Sequence, residues 1–349
     1  MGKRKSGFKI GQAAVLLLLF LLVMGNIHPY VLHADPPAQI EGEWIQSLDG
    51  RWWYRHWDGS YTANAWEYIN GYWYHFDSDG WMQTEWLQVN STWYYLGNNG
   101  AMRIGWQYIN NYWYYFSSSG SMCTGWVKVN NLWYYLYPNG KMCIGWEYIN
   151  GAWYYFNTSG DMRTDDLFAS SRYYKFYPSG QLKSTRIVIS RHEQQNDNWC
   201  WAACAVMVGT YESNLPITQS DVVLYVKGRL GDFPALVSET KEALEYASGF
   251  SVTSHSTVAN SYYFPYSAAA SEIDNNRMFI MILDWDNSLI GGHNVVGAGY
   301  NHENNSIYVI DPAEDCPSHF YQYDLMVNGM KFESGTGSWW KVVYYERNE

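Results

Sequence analysis

The chain has 349 residues, of which 47% are hydrophobic, 19% aromatic and 16% charged, with a formal net charge of −11. That length suggests about two domains of roughly 100–200 residues each, and the hydrophobic content without a Gly-X-Y period excludes a collagenous or disordered chain. The acidic balance excludes nucleic acid as a partner, because phosphate binding needs clustered Lys and Arg. No HExxH or paired CxxC pattern supports a zinc site, and no metal or other cofactor is expected. Five Cys are an odd number with no legible disulfide framework, so a secreted chain would leave at least one thiol over.

Lys3, Arg4, Lys5 and Lys9 precede an apolar run from Ala13 to Met24 that Gly25 ends. The run is shorter than the roughly 20 residues a membrane-spanning helix needs. Residues 1–34 therefore read as a secretory signal, with Ala34 the last residue removed. The alternative is an uncleaved N-terminal anchor. Once the signal is gone no membrane span is expected, and residues 35–41 serve as a linker.

Fifteen of the 20 Trp lie between Trp44 and Trp153, and they repeat. Trp66, Trp86, Trp106, Trp126 and Trp146 are spaced by 20 residues, as are Trp73, Trp93, Trp113, Trp133 and Trp153. Gly80 to Gly160 and Met82 to Met162 keep the same beat. With an irregular first copy near Trp44–Gly59 and a degraded last one at Tyr173–Leu182, seven units result, and atypical ends are what a stacked array needs. Each unit reads as a hairpin: in Trp106–Met122, a turn at Asn110-Asn111 joins two aromatic strands. Strand alternation puts Trp113 and Tyr115 on one face and Tyr114 on the other. A hairpin of this size cannot bury its own apolar face, so neighbours stack, with Tyr94 and Tyr114 in the core. Cys123 and Cys143 share a slot held by Gln83, Arg103 and Arg163 elsewhere; it reads as a surface position, and a disulfide between the two stays open.

The unit Gly125-Trp126 through Trp133-Tyr134-Tyr135 to Gly140-Lys141-Met142 closely resembles the choline-binding, cell-wall-binding repeats of Gram-positive surface proteins. The resemblance spans about Gly42 to Thr185. It implies a β-solenoid whose grooves hold choline on teichoic acid, or another surface glycan, by cation–π attraction. Two Trp, a Tyr and often a Met would line each site: Trp86, Trp93 and Tyr95; Trp106, Trp113 and Tyr115; Trp126, Trp133 and Tyr135; Trp146, Trp153 and Tyr155.

After Leu182 the beat stops and ordinary globular sequence runs to Glu349, enough for one core. Arg186–Ser190 reads as a short strand. From Cys200, apolar residues Trp201, Cys204, Ala205, Val208 and Tyr211 recur at helical spacing, so Cys200 opens a helix. Helix N-termini stabilise anions, which favours a thiolate there. Phe279–Leu283, a run from Gly291 to Tyr300, and Ile307–Ile310 read as strands. Pairing the last two brings Asp311 back towards His293, the geometry that a base and its orienting carboxylate require. His192, His255, His302 and His319 lack supporting context; Cys204 reads as a buried core residue, Cys316 has no assigned role, and Asp284 and Asp286 lack a full calcium loop.

Gln194, six positions before Cys200 in Cys-Trp-Ala-Ala, with Gly-His293-Asn-Val-Val-Gly and Val-Ile-Asp311-Pro, resembles a papain-like cysteine peptidase. The nearest group is the compact bacterial one that includes bacteriocin-leader peptidases and plant-pathogen effector proteases. The resemblance implies Cys200 as nucleophile, His293 as general base and acid, Asp311 orienting the imidazole, and Gln194 with the Cys200 N–H as oxyanion hole. Papain has Asn in the third position, whereas Asp311 matches the compact bacterial variants.

The expected architecture is multidomain: a β-hairpin solenoid of ~20-residue aromatic repeats over 42–185, then an α+β papain-like domain over 186–349. The expected function is a secreted cysteine endopeptidase acting on polypeptides, bound non-covalently to the cell wall or surface by its repeats, which raise its local concentration there. The alternatives are a CHAP-like peptidoglycan hydrolase, a transglutaminase with the same Cys–His pair, and a non-catalytic wall-binding adhesin. Gln194 and the Cys-to-His gap of 93 favour the peptidase.

Overall fold

The computed structural model describes residues 39–285 and 292–348. The expected signal at 1–34 and most of the expected linker lie outside the described residues, as do Asp286 and Gly291. The described residues form two compact units, the first ending at Arg163 and the second beginning at Thr164.

The first unit is built from antiparallel two-stranded hairpins, six among the described residues. Gly105–Ile109 pairs with Tyr112–Phe116, and Gly125–Val129 with Leu132–Leu136. Asn110 and Asn111 both have positive φ, 49° and 68°, the backbone of the two-residue turn whose twist suits a hairpin and which Asn tolerates. As expected, Tyr114 is buried with Phe116 on one face while Trp113 is exposed on the other.

Stacking closes the core. Trp86 of one repeat meets Tyr114 and Phe116 of the next, with ring centroids 4.9 and 5.8 Å apart. Aromatic pairs at such spacings add about 0.5–1.5 kcal/mol beyond their buried area. The Met122 N–H donates to the Trp93 carbonyl at 2.7 Å, tying consecutive repeats. The Gly–Met beat follows from the same packing. Gly120 has φ +81°, and a Cβ there would lie 2.2 Å from Met102 Sδ.

The period is doubled to 40 residues in its detail. The residue paired across the hairpin from the second Trp runs Tyr68, Gln88, Tyr108, Lys128, Tyr148. The last core position of each hairpin alternates Phe76, Leu96, Phe116, Leu136, Phe156.

The shared cysteine slot is not uniformly a surface position. Cys143 is fully buried and Cys123 half-buried, both as free thiols. Tyr137 stands where the other repeats carry Asp77, Gly97, Ser117 and Asn157. Its hydroxyl donates to Glu147 Oε2 at 2.8 Å and lies 3.4 Å from Cys143 Sγ.

The second unit is α+β. Its sheet runs in the order Leu167–Ala169, Arg172–Phe176, Leu182–Ile187, Gly292–Asn301, Phe279–Trp285, Thr336–Arg347, Val252–Val258. Ser306–Ile310 also pairs with Gly292–Asn301 and with His319–Gln322. The degraded last repeat therefore lends its hairpin to this sheet. The strand expected at Arg186–Ser190 runs instead over Leu182–Ile187, because Ser184, Thr185 and Arg186 pair with Asn301, Tyr300 and Gly299. Beyond it the chain leaves the sheet, and Arg191 Nε donates to the Asp311 carbonyl at 2.6 Å.

Cys200 does open a helix, Cys200–Ser213. Every residue from Cys200 to Gly209 is buried, so this is a helix apolar all round rather than on one face. It packs closely on the helix Val237–Ala247: a Cβ on Gly209 would lie 2.5 Å from Ala247 Cβ.

Candidate active site

Cys200 is placed by its neighbours. Trp199 and Trp201 are buried on either side, and each indole N–H donates at 2.9 Å, to the Gly231 and Phe233 carbonyls respectively. Asn198 joins the same clamp, its backbone N–H and Nδ2 reaching the Asp232 carboxylate at 2.8 and 3.0 Å. The helix thus begins at a fixed point, and its first N–H groups lack intrahelical partners.

His293 comes from the strand Gly292–Asn301 and Asp311 from just beyond Ser306–Ile310. The hairpin pairing of Val296 with Ile310 brings them together. His293 Nε2 donates to Asp311 Oδ1 at 2.7 Å, both residues being buried. Asp311 also accepts from Ser334 Oγ at 2.6 Å and from the Ala313 N–H at 2.9 Å. Trp285 stacks on the imidazole, with centroids 5.6 Å apart and planes 16° apart. Leu283 pairs directly with His293, so Trp285, two residues on, shares its sheet face.

The electrostatics follow. Burial opposes the imidazolium, but hydrogen bonds to Asp311 and Cys200 and the charges there outweigh it, and the His293 pKa is pushed up to about 9. Burial likewise works to raise Asp311, yet His293, Ser334 and the Ala313 N–H hold it below the usual carboxylate range. Cys204 one turn along the helix is the opposite case: complete burial, then the neighbouring Cys200 and Asp311, push its thiol well up, as a core thiol should be.

Gln194 lies on a segment bound to the other side of the site. Its backbone N–H donates to the Pro312 carbonyl at 2.8 Å. Its Nε2 donates to the carbonyls of Asn196 and Asp197 at 3.2 and 2.7 Å, while Oε1 is buried without a partner among the described residues. Both amide hydrogens are therefore engaged by the loop leading to Cys200. Sequence reasoning missed Trp285, Ser334 and Asn294, whose Nδ2 lies 3.9 Å from Cys200 Sγ. The two-residue step from Leu283 was the one available signal, for Trp285. Among the described residues no group of His, Cys, Asp or Glu could hold a metal ion.

In the repeats, the named aromatics form one set per hairpin. Trp106 meets Trp113 edge-on, with centroids 6.4 Å apart and planes at 88°, and meets Tyr115 at 5.0 Å. Trp86 with Trp93 and Tyr95, Trp126 with Trp133 and Tyr135, and Trp146 with Trp153 and Tyr155 repeat that arrangement. Trp93, Trp113 and Trp153 leave a face to solvent.

A cysteine at the head of a buried helix, facing a His–Asp pair on an antiparallel sheet, is the layout of a papain-like cysteine peptidase. Residues 183–323 match the family model of the papain-like cysteine protease AvrRpt2, and residues 63–104, 103–145 and 143–186 match that of the choline-binding repeat. The chain thus carries a cysteine peptidase domain behind choline-binding-type repeats. Among solved structures, choline binding protein F from Streptococcus pneumoniae is 40% identical over 41% of this chain and 47% of its own, with a TM-score of 0.38. CbpJ from the same organism is 38% identical over 41% and 48%, with a TM-score of 0.38. The autolysin LytC, also from Streptococcus pneumoniae, is 30% identical over 43% and 36%, with a TM-score of 0.37. The chain spans about half the length of the first two and less of the third. No curated protein matches it.

Proposed function

We propose that the protein is a secreted cysteine endopeptidase held at the cell surface by its repeats, with the hairpins up to Arg163 as the binding part and the unit from Thr164, which takes in the last hairpin, as the catalytic part. The observation that carries this reading is the imidazole of His293, bonded to Asp311 on one side and to Cys200 on the other.

In this mechanism the Cys200 sulfur attacks the substrate carbonyl carbon, and His293 gives its proton to the departing amine. The resulting thioester is cleaved by water, whose proton His293 takes up, and the sulfur departs as an anion beside the imidazolium, restoring the starting pair. Asp311 keeps the imidazole turned towards the sulfur and stabilises its charged form. The Cys200 N–H and Gln194 Nε2 receive the developing oxyanion; Gln194 exchanges one carbonyl of the Asn196–Asp197 loop for it. Choline on wall teichoic acid is the ligand we assign to the aromatic sets, on the strength of the repeat family and the perpendicular Trp pairs.

The test incubates the purified chain and its Cys200→Ala variant with an unfolded protein under reducing conditions, following fragments by mass spectrometry. Cleavage by the parent alone is expected. Release of peptidoglycan fragments without any protein cleavage would replace this reading with a wall hydrolase. Elution of the protein from choline-bearing walls by millimolar choline tests the tether, and elution by glucan alone would reassign its ligand.

A further inference from the structure

Asn294 is 6% exposed and follows His293 on the same strand. An amide side chain offers two donor hydrogens and an acceptor oxygen. Here Oδ1 is buried with no partner among the described residues, and Nδ2 lies 3.9 Å from the Cys200 sulfur. Its strand partner is apolar, Ile282, and the residues that follow it, Val295 and Val296, are fully buried. A leucine-sized hydrocarbon would suit such surroundings, and an unsatisfied buried acceptor is a cost to folding. Packing therefore gives no reason for an amide at this position, whereas its one polar side-chain contact among the described residues is with the nucleophile.

We propose that Asn294 is a further catalytic residue, donating from Nδ2 to the Cys200 sulfur and holding it as an anion alongside His293. A donor strengthens when its acceptor is charged, so the contact is strongest on the thiolate and relaxes once the sulfur is acylated. The imidazolium and the amide then approach the sulfur from successive residues of one strand, and the geometry of both is set by a single backbone. This inference rests on Cys200 being the nucleophile.

The experiment measures the second-order rate of Cys200 alkylation by iodoacetamide, with peptide mapping to assign the label, together with Tm, kcat and KM. In the parent chain Cys200 is alkylated far faster than Cys204; equal rates would sink the nucleophile reading itself. Asn294→Leu is expected to keep or raise Tm while slowing Cys200 alkylation about tenfold, as for a lost hydrogen bond to a charged group. Its kcat falls by a similar factor with KM little changed. Asn294→Asp, the same shape, is slowed at least as much, and it serves where leucine does not pack. Parent-like alkylation in a folded variant, with only Tm altered, overturns the proposal and leaves Asn294 a structural residue.

Discussion

Trp285 lies flat on the imidazole of His293, 5.6 Å between centroids and 16° between planes. An indole face favours a cation over a neutral ring. Trp285→Ala is expected to lower the His293 pKa from about 9. The alkaline limb of kcat/KM moves to lower pH by up to about one unit. A pH–rate profile with the limb unmoved would show that the stacking is only packing.

Asp311→Asn removes the carboxylate and keeps the shape. In the parent, the His293 pKa rises from 6.5 to about 9, so its contribution to stability is complete below 6.5 and is lost as pH climbs through about 9. The Asp311 pKa is lowered from 3.8, so its contribution is present above 3.8 and is lost as pH falls through the depressed value. Tm of the parent minus Tm of Asp311→Asn is therefore expected to be greatest between those limits and to shrink at both ends. A pH-independent difference would mean that the pair does not titrate as described.

How much of this was legible in the sequence depended on how local the geometry is. Asp311 reaches His293 through one hairpin, and the run from Gly291 to Tyr300 could be paired on paper with Ile307–Ile310. Ser334 bonds Asp311 across a separation of 23 residues, and no local pattern announces that. The 20-residue beat of Trp, Gly and Met was plain, while the Tyr108–Lys128 alternation is equally visible in the letters but needs the cross-strand register to mean anything. Cys143 reads as a surface residue in the sequence because its counterparts Arg103 and Arg163 are polar; in the structure it is buried in a cluster with Tyr154, Phe156 and Met162, with Tyr137 packed against it. Gln194 was found by its spacing from Cys200, whereas the engagement of its amide by the Asn196 and Asp197 carbonyls appears only in three dimensions.

The alternation has a consequence for ligand affinity. Lys128 Nζ lies 5.6 Å from the centre of the Trp133 ring, where Tyr108 and Tyr148 face Trp113 and Trp153. Under the choline assignment proposed above, the chain's own ammonium would compete there with the quaternary ammonium of the ligand. Lys128→Gln, made in the Cys200→Ala background to prevent self-cleavage, is expected to raise choline affinity at that repeat about threefold, the scale of one exposed cation–π contact. Titration of Trp fluorescence with choline measures it, and an unchanged curve would remove Lys128 from the site.

Fragments test the shared hairpin. A chain starting at Thr164 keeps Leu167–Ala169 and Arg172–Phe176 on the sheet, and Arg172 reaches the Ile273 carbonyl. One starting at Arg186 loses both strands and most of Leu182–Ile187, baring the Gly299–Asn301 end of the strand that carries His293. Unpaired edges invite association. The first fragment is expected to be soluble and cooperative in thermal unfolding, and the second to aggregate; equal behaviour would make the hairpin dispensable.

That hairpin also determines where tension would enter the enzyme. A pull on the chain ahead of Thr164 arrives at Leu167–Ala169, and passes through Arg172–Phe176 and Leu182–Ile187 to the strand bearing His293. These strands are joined by rows of backbone hydrogen bonds that would be loaded in sequence. Were the molecule anchored through its repeats, as proposed, mechanical load would converge on the strand that holds the imidazole, with the Ser184–Asn301 and Arg186–Gly299 pairs standing between the anchor and the catalytic centre.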